Sequence, residues 1–94
     1  MNPDARFTIS PGVYARSFGA ELVLLDFSRG EYFGLDELGA EIWRLAEAGE
    51  TLGAIADRVV ERFDVSHDIA FRDIVDLLTD MREQGLLTQE KEGV

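Results

Sequence analysis

The stretch "SRGEYFGLDELGAEIW", residues 28–43, decides the fold, because the spacing of apolar residues changes within it. Residues 28–30 form a predicted turn, and residues 31–35 form a short aromatic strand that contains Gly34. Asp36 is then placed to cap a helix that begins directly after this strand. The stretch therefore predicts the point at which a β-sheet gives way to helices.

Before this point the chain has the alternating pattern of short β-strands separated by turn residues. Phe7 and Ile9 begin the pattern, and tight turns join the three runs that follow, at residues 13–18, 21–27 and 31–35. These runs predict an antiparallel meander. Because residues 22–25 of its middle strand are apolar on both faces, we expect Phe7 and Ile9 to cover the face that the helices leave bare, with a partner protein as the alternative.

After Asp36 the apolar residues recur at helical spacing in three segments. The first segment ends near Gly49. The second, capped by Thr51, has apolar residues at i, i+3, i+4, i+7, i+8 and i+11, and the third extends from Ser66 to about Gln84. A meander followed by three helices predicts an α+β domain of the winged helix-turn-helix type.

Length and composition limit the function further. A chain of 94 residues has room for one domain, with a core expected over about residues 7–88 and frayed polar ends. It has no cysteine, no apolar run long enough to span a bilayer and no signal-peptide pattern, so we expect a cytoplasmic protein that is not bound to membranes. The formal net charge of −10 favours cationic partners and disfavours nucleic acids.

The helix-turn-helix shape raises the hypothesis of a DNA-binding regulator, which the third predicted helix can test. Its two arginines, Arg72 and Arg82, are outnumbered by five acidic residues. Helices that bind phosphates carry clustered basic residues, so the pattern argues against DNA binding.

No residues have the spacing of a catalytic or metal site. His67 is the only histidine, and it has no cysteine or second histidine as a partner. A glycine-rich phosphate loop is also absent. The sequence predicts no catalytic residues, no metal site, no cofactor and a protein that is not an enzyme.

The strand at residues 31–35 lies at an edge of the predicted meander, without the Lys, Pro or bulge that usually protects such an edge. Gly34 is typical of a strand that another backbone approaches closely. Two interpretations remain open. Either the strand is half-buried core and Gly34 begins the bend into the first helix, or an extended peptide is added as a further strand.

The other wall of such a groove is expected to be the third helix, whose apolar stripe is wider than one core contact requires. Phe71, Val75 and Leu78 lie on one line of the helix, and the neighbouring line holds Ala70, Ile74, Leu77 and Met81. The pattern leaves open which line faces the core.

Three stretches together resemble the PqqD-like RiPP precursor peptide recognition elements, the family of the small peptide chaperone of pyrroloquinoline quinone biosynthesis. They are "LLDFSRGEYFGLDELGAEIWRLAEAG" at 24–49, "TLGAIADRVVERFDV" at 51–65 and "DIVDLLTDMREQGLL" at 73–87. Within this family the chain is most similar to the stand-alone leader-binding proteins of lasso peptide systems. The resemblance implies a non-catalytic domain whose third meander strand binds the leader of a ribosomally made precursor peptide, antiparallel, against the third helix.

The resemblance also implies partners: the leader peptide, a leader peptidase of the transglutaminase-like type and, as a further candidate, the macrocyclase. By position, strand pairing falls on Glu31, Tyr32, Phe33, Gly34 and Leu35, and the pocket on Phe71, Arg72, Val75, Leu78 and Thr79. From charge we expect Asp68 and Asp76 to meet basic leader residues. The alternatives are the DNA-binding regulator and a homo-oligomeric domain whose edge strand pairs with a second copy.

Overall fold

The computed structural model describes residues 1–90, in which a three-stranded antiparallel sheet is followed by three helices. The strands are β1 (Phe7–Ile9), β2 (Val13–Phe18), β3 (Glu21–Asp26) and β4 (Glu31–Leu35). The helices are α1 (Glu37–Glu47), α2 (Leu52–Phe63) and α3 (His67–Glu83), and a last strand, β5, covers Leu87–Gln89. The predicted α+β fold is confirmed. The sequence predicts fraying at residues 1 to about 6 and 89–94. In the structure Ala5 is buried and accepts a hydrogen bond from the backbone N–H of Leu52, and Gln89 belongs to β5, so these parts pack against the domain. Residues 91–94 lie outside the described residues.

The sheet has the order β2-β3-β4, so β3 is paired on both sides and the other two strands are edges. Leu24 of β3 lies between Ala15 and Phe33 in the register. Leu22 and Leu24 are buried under the helices, whereas Val23 and Leu25 face the other way and are half-buried. We call the side of the sheet that faces away from the helices the outer face.

The expectation that Phe7 and Ile9 cover the outer face is wrong. In the structure β1 pairs with β5, with Ile9 opposite Leu87, and Phe7 is buried in the core and next to α1. The physical reason is the last strand, which the sequence pattern did not indicate. It gives β1 a hydrogen-bonding partner on the helical side of the molecule, so the outer face keeps no cover from within residues 1–90.

All three helices begin at the predicted capping residues. The side chains of Asp36, Thr51 and Ser66 accept hydrogen bonds from the backbone N–H three residues later, at 2.8, 3.2 and 3.4 Å. Such caps satisfy N–H groups that the first helical turn leaves without partners. After α3, Gly85 adopts a left-handed conformation with φ of +78°, which turns the chain into β5.

The core lies between the inner face of the sheet and the helices. Trp43 of α1 is its largest fully buried side chain. The Cα trace is only 19 Å thick along its shortest axis, which fits one helical layer on one face of the sheet, since a helix is about 10 Å across. None of the described helices is long and apolar enough to cross a membrane.

Candidate peptide-binding cleft

A cleft of about 480 Å³ lies where the end of β4 meets the first half of α3. Leu35 and the neighbouring Gly34 form one wall, and Ile69, Asp73 and Leu77 lie on the opposite wall. The remaining lining is apolar and comes from all three helices and the loop before α3: Leu38, Gly39, Ile42, Val59, Phe63, Val65, Ala70 and Ile74. Asp36 and Asp73 are the titratable residues of this lining, so the cleft suits an apolar side chain with a cation near its rim.

The edge of β4 that faces away from β3 carries no strand within residues 1–90. Because alternate residues of an antiparallel strand direct N–H and C=O away from their partner, this edge offers unpaired donors and acceptors. Its five residues have one charge, at Glu31, and no proline or lysine. The predicted open edge next to a groove is thus present in the structure.

Gly34 lies inside β4, opposite Val23, in an ordinary extended conformation. A Cβ built at Gly34 would meet no atom of the chain within 4 Å. Neither a bend nor contact with the chain's own backbone therefore requires a glycine at this position. Its missing side chain leaves open space on the outer face beside the strand edge.

The aromatic side chains of β4 are divided between the two faces of the sheet. Phe33 points inward and packs against the core, while Tyr32 points outward with 76% of its surface exposed. A half-buried strand and an open strand edge therefore exist together, because side chains and edge N–H groups point in perpendicular directions.

The residues predicted on the third helix lie elsewhere than the cleft wall. Leu78 is fully buried in the core. Phe71 follows Ile69 by two residues, and Val75 follows Asp73 by two residues. Two residues turn the helix by about 200°, so Phe71 and Val75 lie on nearly the opposite side of the helix, about 160° away. Phe71 stacks on His67 on that other flank, with ring centroids 6.2 Å apart.

The polar residues predicted for this helix are also outside the lining of the cleft. Arg72 is exposed, with Nε 4.0 Å from the carboxylate of Asp73. Asp68 and Asp76 are exposed on the outer side of α3, and Thr79 is half-buried. Of the predicted site residues, the cleft lining contains Gly34 and Leu35, and the binding roles of all the predicted residues stay predictions.

Sequence reasoning missed Ile69, Asp73 and Leu77 as one wall. Their spacing of i, i+4 and i+8 places them on one flank of α3. Ile69 is the clearest signal, because a large apolar residue in the first turn, outside the core stripe, remains 49% exposed. Within residues 1–90 no group of His, Asp and Glu side chains is arranged to hold a metal ion.

The outer face is a second apolar surface. Tyr14, Leu25 and Tyr32 form a row across the three strands, and Phe27 contacts Tyr14 edge to face at 5.5 Å. Tyr14 and Phe27 are 60% and 70% exposed. Exposed apolar patches of this kind are typical of interaction surfaces.

Comparison with known proteins agrees with this geometry. The profile of "Coenzyme PQQ synthesis protein D (PqqD)" matches residues 21–87. A comparison with curated protein sequences gives no significant match.

Two solved structures are similar over nearly their whole length. "TbiB1 in Complex with the TbiA(beta) Leader Peptide" has a TM-score of 0.84 and 33% identity, and the alignment covers 90% of this chain and 99% of that one. "Lasso peptide synthetase B1 complexed with the leader peptide" has a TM-score of 0.82 and 28% identity, with 88% and 98% covered. Both structures and the matched profile confirm the resemblance found in the sequence: the chain belongs to the PqqD family of precursor-peptide recognition elements.

Proposed function

We propose that this protein binds the leader segment of a ribosomally synthesised precursor peptide and presents it to a leader peptidase during lasso peptide maturation. One observation carries the proposal: β4 has an open edge, and an apolar cleft lies directly between that edge and α3. Both similar structures are described as complexes with a leader peptide, which supports the same ligand class here.

The leader is added as a fourth strand of the sheet, antiparallel to β4. Its backbone pairs with the N–H and C=O groups on the open edge of Glu31–Leu35. Four or five hydrogen bonds at about 0.5–1.5 kcal/mol each make this pairing independent of the leader's side chains.

Specificity comes from alternate leader side chains that point toward the helices and enter the cleft. A volume of about 480 Å³ accommodates one or two large apolar side chains. Ile69 and Leu77 contact them from α3, in place of the predicted Phe71 and Val75, since the latter two face the other flank. Each buried anchor contributes about 1.5–3 kcal/mol.

The negative charges on α3 favour leaders with basic residues and raise the rate of association. Asp73 lies at the rim of the cleft, while Asp68 and Asp76 are exposed on the same helix. A basic leader residue beside the anchor pairs with Asp73, and the other two carboxylates contribute to the negative field that steers it. After the cost of ordering the leader, we expect a Kd between about micromolar and tens of nanomolar.

The outer face is the proposed docking surface for the leader peptidase, the transglutaminase-like partner expected from the resemblance. Its row of Tyr14, Leu25 and Tyr32 ends at β4, so a leader bound to β4 extends the same surface by one strand. A peptidase seated there contacts the protein and the outward side chains of the leader together. The macrocyclase is a further candidate for this surface. In this proposal the protein acts in the cytoplasm by binding the leader and catalyses no reaction.

Titration of a fluorescently labelled leader tests the proposal. We expect saturable binding to the wild-type protein and at least about tenfold weaker binding of a scrambled leader with the same composition. The scrambled peptide keeps the charge and loses the alternating pattern, so equal binding of both peptides would contradict recognition of alternate leader side chains by the cleft. Sedimentation without leader tests the alternative of edge-to-edge dimers, which predicts a dimer that the leader dissociates.

A further inference from the structure

The two walls of the cleft are joined by one arginine that does not line it. Arg29, in the turn between β3 and β4, donates a hydrogen bond from Nη1 to the carbonyl oxygen of Gln84 at 2.9 Å. Gln84 is the residue that ends α3. Among the described residues this is the one side-chain hydrogen bond that connects the meander to α3 or its C-terminal cap.

Hydrogen bonds within the turn fix the backbone on both sides of Arg29. The buried carboxylate of Asp26 accepts a hydrogen bond from the backbone N–H of Ser28 at 3.0 Å, and its carbonyl oxygen accepts one from Gly30 at 2.9 Å. Such a side-chain-capped turn restricts the backbone on either side of Arg29. The side chain of Arg29 therefore extends from a backbone with restricted conformation.

The accepting end of α3 is equally well defined. Helices end with carbonyl groups that lack partners and with partial negative charge, so a guanidinium is favourable there. Gly85 follows in its left-handed conformation, and a Cβ built on it would lie 3.5 Å from the Arg29 guanidinium carbon. That distance is an ordinary van der Waals contact, so the arginine packs directly against the helix end, and the positive φ is what favours glycine at this position.

We propose that Arg29 is a positioning residue that sets the separation between β4 and α3, and through it the width of the leader cleft. The strand β4 begins two residues after Arg29, and the end of α3 lies at its hydrogen-bonding tip. At the other end of β4, beside the cleft, the strand is held by its direct connection to α1 through Asp36. Loss of Arg29 frees one end of the gap and leaves the other fixed. The link between Arg29 and leader affinity rests on the proposed function, whereas its effect on cleft width does not.

The experiment compares Arg29→Ala with Arg6→Ala. Arg6 is a matched control, because its Nη1 donates to the carbonyl oxygen of Gly49 at 2.8 Å, just after α1 and away from the cleft. Since the chain has no cysteine, Tyr32→Cys and Asp80→Cys introduce a single pair of spin labels on β4 and α3. Double electron–electron resonance then measures the distance between the two spin labels in the free protein, which reports the separation of β4 and α3. Titration with the fluorescent leader measures the affinity of the same variants without spin labels.

We expect Arg29→Ala to broaden the distribution of distances between the two labels, to increase the mean distance, and to weaken leader binding by about tenfold. Arg29→Lys keeps the charge and can still donate a hydrogen bond to the carbonyl oxygen of Gln84, so it should show smaller changes in both measurements than Arg29→Ala. Arg6→Ala should change neither. If Arg29→Ala does not fold, Arg29→Lys is compared with wild type in the same two measurements. An unchanged label distance overturns the proposal even if affinity falls. If the wild-type protein fails to bind the leader, the proposed function fails, and the label distance alone decides the role of Arg29.

Discussion

Phe33 of β4 lies opposite Leu24 of β3 and packs against the core, while the far edge of its strand carries no partner within residues 1–90. The side chain anchors the strand from one face, while the edge of the strand is left exposed. A preformed edge lowers the ordering cost of strand addition, because only the guest chain must become extended.

The flank of α3 that faces the leader can be identified with two alanine variants. Ile69→Ala should weaken leader binding by about tenfold, because it removes part of a pocket that buries an apolar anchor. Phe71→Ala on the opposite flank should change the Kd by less than about twofold. Fluorescence anisotropy with the labelled leader measures both, and circular dichroism verifies that both variants fold. The opposite ranking would restore the residues first predicted from the sequence.

Substitutions on the outer face should reduce cleavage of the precursor by the peptidase and leave leader binding unchanged. Tyr14→Ser removes an exposed aromatic side chain from β2, the edge of the sheet opposite to β4. We expect an unchanged leader Kd and a loss of about tenfold in peptidase cleavage of the precursor at limiting protein concentration. Full cleavage activity in this variant would place the peptidase elsewhere, and a loss of leader binding would remove the separation of the two surfaces.

The cap of α1 links stability to the cleft. Asp36 accepts a hydrogen bond from Gly39 at 2.8 Å and also lines the cleft, whereas Thr51 caps α2 outside it. Asp36→Ala and Thr51→Ala should each lower the free energy of unfolding by about 1 kcal/mol. Urea denaturation measures this loss. Leader affinity should fall in Asp36→Ala alone, and an equal fall in Thr51→Ala would attribute the effect to stability.

The protein should not bind DNA. The acidic residues on the exposed side of α3, among them Asp68, Asp73 and Asp76, repel phosphates where a recognition helix would need cations. We expect no mobility shift of duplex DNA at low salt. A shift that disappears with rising salt would instead favour the regulator hypothesis.

Much of the fold could be predicted because local rules and tertiary structure agree. Asp36, Thr51 and Ser66 cap their helices as the pattern indicates, and the strands lie where turn residues bound them. The strand β5 could not be predicted, because its three residues have no periodicity and its partner β1 lies about eighty residues earlier in the chain. Pairing at that distance is set by packing and not by local sequence.

The open strand edge beside the cleft was predictable from the sequence, and the residues of α3 that line the cleft were not. An edge without Lys or Pro is a property of residues 31–35 themselves. Which flank of α3 faces that edge depends on the rotation of the helix, which its contacts with α1, α2 and the sheet determine. Two apolar lines of similar strength, one through Val75 and one through Leu77, gave the sequence no means of choosing.

Backbone amide hydrogen exchange, followed by NMR with and without the leader, tests the central claim most directly. In the free protein, alternate amides of residues 31–35 should exchange quickly because they have no partner on the open edge, and a saturating leader should slow them by at least about tenfold. The amides of β2, the other edge of the same sheet, should keep their rates. Leader binding that leaves every amide of residues 31–35 unchanged would contradict strand addition at this edge.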